Sequence, residues 1–394
     1  MKNPALKDVP LAVTGSVEDR HGIVLAKNQI AKSLGVKTGE VLWSAQRKCG
    51  GKLVSVLADF PSYYKVSKAV KAIYGRFTDH IESFGIDECW LDVTDSQRLF
   101  GSGEEIANKI RETIKAELGV TVSIGVSFNK IFAKLGSDMK KPDAVTLITP
   151  ENYKQTVWKL PASDLLYVGR ATAKKLSDIG IHTIGDIATT DQKLLTKLLG
   201  VWGKTLYYYA NGLDQTPVID KAEERNVKSI GNSLTVYKDL KNFDEVKTLI
   251  MLLSETVASR LRESGLGKAY TVKLTVTDNE LKGLGKQTSL IKPTHSSLDI
   301  ANECYKLFSE IYKWHAPVRA VGVAVTNFTM GVEQPSMDDG EHDDRIERLD
   351  SAIDGIRRKY GNNSVRRARI LQDKRLSELD VKGEEVKPFD RGGG

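Results

Sequence analysis

Cysteine is scarce in this 394-residue chain, and its arrangement excludes two classes of protein. Cys49, Cys89 and Cys304 lie far apart, with no CxxC pair and no Cys/His cluster, which argues against a zinc site and against a disulfide framework. Long apolar runs are lacking too. None approaches the roughly 20 residues that a membrane span needs. The N-terminus has no charged-then-apolar signal, so secretion and membrane insertion are disfavoured and the chain reads as cytoplasmic.

Length and charge are what the chain has. With 40% hydrophobic residues it is long enough for several cores, roughly two to four domains by the usual length scale. The formal charge is +7, but residues 332–394 hold 13 Lys and Arg against 15 Asp and Glu, which leaves +9 on residues 1–331. A basic folded body points to a phosphate-rich partner.

Against that background two adjacent acids stand out. Asp87 and Glu88 interrupt the otherwise apolar run Ser83-Phe84-Gly85-Ile86-Asp87-Glu88-Cys89-Trp90-Leu91-Asp92-Val93-Thr94. Successive strand side chains face opposite ways, so neighbouring carboxylates serve one site only where the chain turns or bulges, and Gly85 supplies that freedom. Two negative charges side by side are costly unless something neutralises them. Mg²⁺ held by one or two carboxylates together with substrate phosphates is the common remedy. The alternative is a solvated hairpin tip.

The pattern along the chain is mixed. A strand over 10–14, a second apolar segment over 22–26 and a helical stretch to Leu34, closed by Gly35, suggest a small α/β lobe. A helix over 61–74, with Tyr64, Val66, Val70 and Ile73 on one stripe, leads to the acidic hairpin. A helix over 103–118 and a strand over 120–126 follow, which predicts an α+β sheet with its acids at one edge. From about 158 to 215 the character becomes helical. There Tyr167-Val168-Gly169-Arg170-Ala171-Thr172-Ala173-Lys174-Lys175-Leu176, followed by Ile179-Gly180-Ile181, reads as a turn between helices whose N–H groups suit a phosphate. Residues 216–228 read as a linker, and 228–328 follow a β-α-β-β-α-β order. In the tail, Ile346, Leu349, Ile353 and Ile356 at helical spacing predict a small docking helix.

Taken together, the acidic hairpin, the run Gly125-Val126-Ser127-Phe128-Asn129-Lys130-Ile131-Phe132-Ala133-Lys134 and the run Asp138-Met139-Lys140-Lys141-Pro142 carry a resemblance. The chain resembles a Y-family (translesion) DNA polymerase, most like the UmuC-related enzymes of Gram-positive bacteria and their mobile elements. That resemblance implies a multidomain α+β right hand. Palm and fingers would occupy 1–157, a helical thumb with a helix-hairpin-helix 158–215, a linker 216–228 and a β-α-β-β-α-β little finger 229–331, with a tail over 332–394 carrying a clamp-binding peptide and a short helix.

It also implies roles. Asp87 and Glu88 would be catalytic carboxylates binding two Mg²⁺ ions, and Lys141 would reach the triphosphate of the incoming dNTP. Gln29 and Lys32 stand where the family usually places a Tyr and an Arg on a fingers helix, and Lys cannot give the bidentate fork of Arg. Lys134 would face the backbone of primer-template DNA. Gly169, Arg170, Lys174 and Lys175 of the thumb, with Ser229 and Asn232 of the little finger, would grip DNA. Gln334, Ser336 and Met337 fall where relatives carry a peptide for the sliding clamp. Asp92 is expected to be structural.

One departure is serious. The family opens with a strand bearing a catalytic Asp and a steric-gate aromatic, and no such segment is present here. The expectation is that the true start lies upstream, or that the chain is a remnant with impaired chemistry. Two readings therefore compete with an active error-prone polymerase of the SOS response: a silent DNA-binding or clamp-interacting relative, and a palm-type nucleotide cyclase or nuclease.

Overall fold

A computed structural model of the chain describes residues 3–15, 22–219, 227–329 and 341–379. The described residues fall into two compact units, one of residues 59–219 and one of residues 3–58 with 227–379.

Residues 3–58 build a three-stranded sheet of order β2-β1-β3 from β1 (Leu11–Thr14), β2 (Val24–Lys27) and β3 (Val54–Leu57). Two short helices lie between β2 and β3, namely α1 (Gln29–Ser33) and α2 (Leu42–Lys48). Asn28 ties helix to sheet. Its Oδ1 accepts the Ala31 N–H at 2.9 Å and the Leu11 N–H at 3.2 Å, while its Nδ2 donates to the Val9 carbonyl at 2.7 Å. Small residues, Ala12, Ala31 and Ala45, let helix and strand approach closely around Val24, Val36 and Leu53.

The second unit opens with α3 (Phe60–Tyr74), capped by Asp59, whose carboxylate accepts the Ser62 N–H at 3.2 Å. Val70 and Ile73 of the expected stripe pack inward, but Val66 is exposed. A hairpin of β4 (Ile81–Ser83) and β5 (Cys89–Leu91) follows, then α4 (Gln97–Phe100) and α5 (Gly103–Leu118). Serine and glutamate start α5 as a reciprocal cap, Ser102 with Glu105, and Ile106, Ile110 and Ile114 at helical spacing bury its inner face. Next come β6 (Ile124–Ser127), α6 (Lys130–Met139), β7 (Val145–Ile148) and α7 (Tyr153–Thr156).

The single sheet expected here is not formed. β4 and β5 make one antiparallel pair, β6 and β7 a separate parallel pair, and no described strand lies between them to bond both. The ladder also starts late. Val120 and Val122 pack into the core without pairing, and β6 begins only at Ile124.

The unit ends in four helices, α8 (Arg170–Ser177), α9 (Ile184–Thr189), α10 (Gln192–Leu199) and α11 (Val201–Ala210), around a core of Leu176, Ile184, Ile187, Leu195 and Leu206. The helix expected ahead of the Tyr167–Arg170 turn is only one 3₁₀ turn, Ala162–Asp164, because the chain is already extended at Leu165 and Tyr167 takes φ +71°.

Residues 227–379 hold the largest core. The expected order appears as β8 (Ser229–Leu240), α12 (Phe243–Ser264), β9 (Ala269–Asp278), β10 (Gly283–Thr294), α13 (Ser297–Ile311) and β11 (Val318–Phe328). The strands form one antiparallel sheet of order β10-β9-β11-β8, with Val272, Leu274, Val276, Val321 and Val323 packed under α12 and α13. Helix α14 (Glu341–Tyr360) and the short α15 (Lys374–Glu378) complete this part, and Ile370 and Leu376 enter its core.

The predicted tail helix exists, but its docking face is turned partly away from the apolar stripe, with only Ile346 and Ile353 half-buried on it. Asp350, Asp354 and Arg357 are buried, whereas Leu349 and Ile356 of the apolar stripe are exposed. The reason lies in what α14 meets. The outer face of α12 is polar, and Asp354 takes hydrogen bonds from Ser259 and Arg262 at 2.8 Å each, while Arg357 pairs with Glu255 at 2.7 Å. Asp350 also accepts the Ser297 N–H at 3.0 Å at the start of α13.

Candidate active site

The two adjacent acids lie outside the ladder, in the connection 84–88 that joins β4 to β5. Strand alternation therefore does not apply to them. Gly85 takes φ +89°, the conformation that glycine alone adopts freely, and the Phe84 N–H closes the turn on the Glu88 carbonyl at 2.9 Å. Helix α3 braces this loop: Ser67 donates its hydroxyl to the Ile86 carbonyl and Lys71 donates to the Gly85 carbonyl at 3.4 Å. Phe84 packs on Trp90 of β5 with ring centroids 4.7 Å apart. Burial raises the Tyr74 phenol far above its ordinary value, and the Cys89 and Asp87 charges beside it add to that shift.

Asp87 is exposed, while Glu88 is half-buried and held. Lys134 of α6 donates to Glu88 Oε1 at 2.8 Å and to Asp138 at 2.7 Å, and Lys141 pairs with the other Asp138 oxygen at 2.7 Å. The result is an alternating chain of charge, Glu88, Lys134, Asp138, Lys141. Burial alone would lower the Lys134 ammonium pKa, but hydrogen bonds to Asp138 and Glu88 outweigh it and hold it above the ordinary lysine value. Asp138 is the mirror case: burial pulls its carboxyl up, and the hydrogen bonds from Lys134 and Lys141 win and hold it below.

Two motif residues explain how α6 comes to lie there. A Cβ on Gly125 would sit 1.9 Å from the Ala133 carbonyl oxygen, so only glycine lets β6 and α6 approach this closely. Asn129 then caps the helix, its Oδ1 accepting the Phe132 N–H at 2.8 Å. Neither position was singled out for a role from sequence, although both lie inside the quoted motif.

Of the sequence-predicted residues, the structure brings together Glu88, Lys134 and Lys141, with Asp87 next in chain. Lys134, expected to face a DNA backbone, is instead ion-paired twice. Gln29 and Lys32 are exposed on α1, in the other unit. Gly169, Arg170, Lys174 and Lys175 are exposed at the start and outer face of α8, with Lys174 paired to Asp178 at 2.9 Å. Ser229 is exposed and Asn232 half-buried on β8, an edge strand. Gln334, Ser336 and Met337 lie outside the described residues. The Asp92 carboxylate takes the Thr94 hydroxyl at 2.6 Å and the Thr94 N–H at 2.9 Å, which lower its pKa.

Adjacent carboxylates suit a hard cation, and Mg²⁺ is bound by one or two of them with substrate phosphates and water completing the shell. Asp87 and Glu88 are ligands of the chemical type such an ion takes, although Lys134 occupies one Glu88 oxygen here. Among the described residues no group of three or more His, Cys, Asp or Glu converges. No described helix is long and apolar enough to cross a membrane.

The profile of the impB/mucB/samB family matches residues 1–138, and that of its C-terminal domain matches residues 227–337. DNA polymerase IV of Acetivibrio thermocellus is 50% identical over 380 residues, covering 96% of this chain and 95% of that protein. DNA polymerase IV 2 of Bacillus subtilis is 34% identical, covering 94% and 90%. Among solved structures, a Y-family DNA polymerase chimera of Dbh and Dpo4 superposes with a TM-score of 0.72 at 24% identity, over 84% of this chain and 94% of the other. DinB from Sulfolobus solfataricus gives 0.54 at 25% identity over the same shares. The fold is thus the polymerase hand of palm, fingers, thumb and little finger. The chain belongs to the impB/mucB/samB family and is a Y-family translesion DNA polymerase, a DNA-directed DNA polymerase.

Proposed function

We propose that nucleotide addition is carried by the acidic connection 84–88 and the charge chain leading from it. The observation that carries this reading is the linkage of Glu88 to Lys134, Asp138 and Lys141 beside Asp87. Asp87 and Glu88 would hold Mg²⁺, which would stabilise the negative charge on the phosphoryl oxygens of the reacting nucleotide. Lys141 meets the negative charge that grows on the leaving pyrophosphate, and Asp138 keeps it aimed until a triphosphate competes for it. Lys134 neutralises Glu88 and Asp138, and its ammonium would serve the primer-template backbone where those carboxylates are otherwise balanced. In-line phosphoryl transfer needs little covalent chemistry from the protein, so position and charge are what these residues contribute.

In this reading residues 1–157 are palm and fingers, 158–215 thumb, 216–228 linker, 229–331 little finger and 332–394 a tail. Gln29 and Lys32 steady the triphosphate. Gly169, Arg170, Lys174 and Lys175 grip DNA from the thumb, and Ser229 and Asn232 from the little finger. Gln334, Ser336 and Met337 dock the sliding clamp. The work is cytoplasmic, in the repair of damaged DNA under the SOS response. Solved relatives include ternary complexes, which supports primer-template DNA and dNTP as ligands.

A second reading is an impaired relative that binds DNA without extending it. It is favoured by the absence of a third carboxylate in the acidic cluster among the described residues, since two ions need more ligands than Asp87 and Glu88 supply. Primer extension on a template with an abasic site separates the two. Mg²⁺-dependent extension that falls on the order of a thousandfold in Asp87→Ala supports the first. A gel shift with no extension by the unaltered chain supports the second.

A further inference from the structure

Glu82 lies in β4 opposite Trp90 of β5, on the hairpin whose connection carries Asp87 and Glu88. Its side chain is 10% exposed, that of its partner Lys130 is 11% exposed, and the two are 2.6 Å apart. This pair is separate from the chain of charge that starts at Glu88. What it holds is main chain from far along the sequence. Lys130 Nζ donates to the Pro217 carbonyl at 3.1 Å, and the Ile219 N–H donates to Glu82 Oε2 at 2.9 Å. Both residues belong to the irregular stretch that follows α11.

Trp90 completes the arrangement. The Lys130 ammonium lies 4.7 Å from the centroid of its ring, and its Nε1–H donates to the Lys130 carbonyl at 2.9 Å. Tyr167, from the turn before α8, stands near the same charges: burial raises its phenol, and Glu82 and Asp214 raise it further.

A buried ion pair is costly to desolvate and holds only where its remaining hydrogen-bonding capacity is filled. Here the filling groups are a carbonyl and an amide of the exit segment. Lys130 is also the first residue of α6, the helix that carries Lys134 and Asp138, so the pair joins three things: hairpin, helix and exit segment.

We propose that Glu82 and Lys130 are positioning residues that clasp residues 217–219 to the acidic hairpin, so that the chain leaving the thumb helices starts from a point fixed on the hairpin of Asp87 and Glu88. Displacing that segment then disturbs the seat of α6 against the hairpin. Small misplacements of reacting groups have large effects on rate, and this gives the segment a route to the chemistry without touching substrate. The clasp goes beyond the catalytic roles proposed for Asp87 and Glu88.

The test uses the full chain with Glu82→Gln, Lys130→Met and the double variant Glu82→Met with Lys130→Met. Replacing a buried ion pair with apolar side chains of similar volume commonly preserves stability. The double variant is expected to keep its melting temperature, while exchange of the Ile219 amide, read by hydrogen–deuterium exchange, accelerates about a hundredfold as its acceptor is lost. In primer extension, kcat is expected to fall about tenfold at unchanged nucleotide KM. Recovery of both amide protection and kcat in the double variant would mean an ordinary structural pair and overturn the clasp. So would an Ile219 amide that exchanges at the wild-type rate in all three variants. Should the double variant not fold, Lys130→Met decides alone: it leaves Glu82 without its counter-charge and the Pro217 carbonyl without its donor, and unchanged Ile219 exchange there overturns the proposal. Failure of the unaltered chain to extend primers would reject the catalytic reading but leave the amide readout standing.

Discussion

Asp138 accepts two lysines at once, and this decides what each lysine does. Lys141 is exposed and retained by one carboxylate, so it is available to a more highly charged ligand. A hydrogen bond to a charged group contributes about 1.5–3 kcal/mol, so Lys141→Gln is expected to raise the KM for dNTP roughly tenfold with little change in kcat, measured by steady-state single-nucleotide insertion. Asp87 and Glu88 drew notice in the sequence because adjacent acids inside an apolar hairpin are rare. Asp138 was not. An acid four residues after one lysine and three before another resembles any solvated helix face, and only the fold shows that the first lysine is also held by Glu88. Glu82 was hidden for a related reason: a single acid in a strand carries no signal until its partner, 48 residues away, is seen beside it.

At the scale of elements, caps and close approaches set the geometry. Helix α9 begins with a reciprocal cap, in which Asp186 accepts the His182 N–H at 2.9 Å and the Thr183 N–H at 2.8 Å while Thr183 accepts the Asp186 N–H at 3.0 Å. The backbone bonds from His182 and Thr183 hold the Asp186 carboxyl below its ordinary value. A carboxyl whose folded pKa is lowered stabilises the fold above the unfolded value, near pH 4, and loses that contribution as pH falls through the lower folded value. Asp186→Asn is therefore expected to destabilise the chain by about 1 kcal/mol at pH 7 and by progressively less toward pH 3, followed by urea unfolding. Elements with strong periodicity were legible: α3, α5, and the β-α-β-β-α-β order came through within a few residues. The joining of strands into sheets was not, because β4-β5 and β6-β7 remain separate pairs for want of a described strand between them. The docking face of α14 was half legible: Ile346 and Ile353 lie on it half-buried, whereas Leu349 and Ile356 stay exposed because its neighbour α12 presents Glu255, Ser259 and Arg262.

For the whole molecule, charge and the ionic seam of α14 matter most. The excess of +9 on residues 1–331 predicts DNA binding that weakens steeply with salt. If six or more phosphates are neutralised, affinity should drop on the order of a thousandfold between 50 and 200 mM NaCl, measured by fluorescence anisotropy with a labelled primer-template. The seam makes a second claim. Arg357 and Glu255 are both under a tenth exposed, and Arg367 also reaches Glu255 at 2.9 Å. Removing one partner of a buried pair leaves the other uncompensated, so Arg357→Met is expected to lower stability by about 3–5 kcal/mol, seen as a drop in the unfolding midpoint of an isolated 227–379 fragment.

That seam also redraws where the C-terminal module stops. The family profile ends at residue 337, yet Ile370 and Leu376 are sealed into the same interior as α12, and Asp350 buttresses the first turn of α13. Anyone excising this C-terminal module for expression by trimming at the profile's edge would strip away its outer wall and bare Glu255 and Arg262 together. A fragment meant to stay soluble and monomeric should run through residue 379.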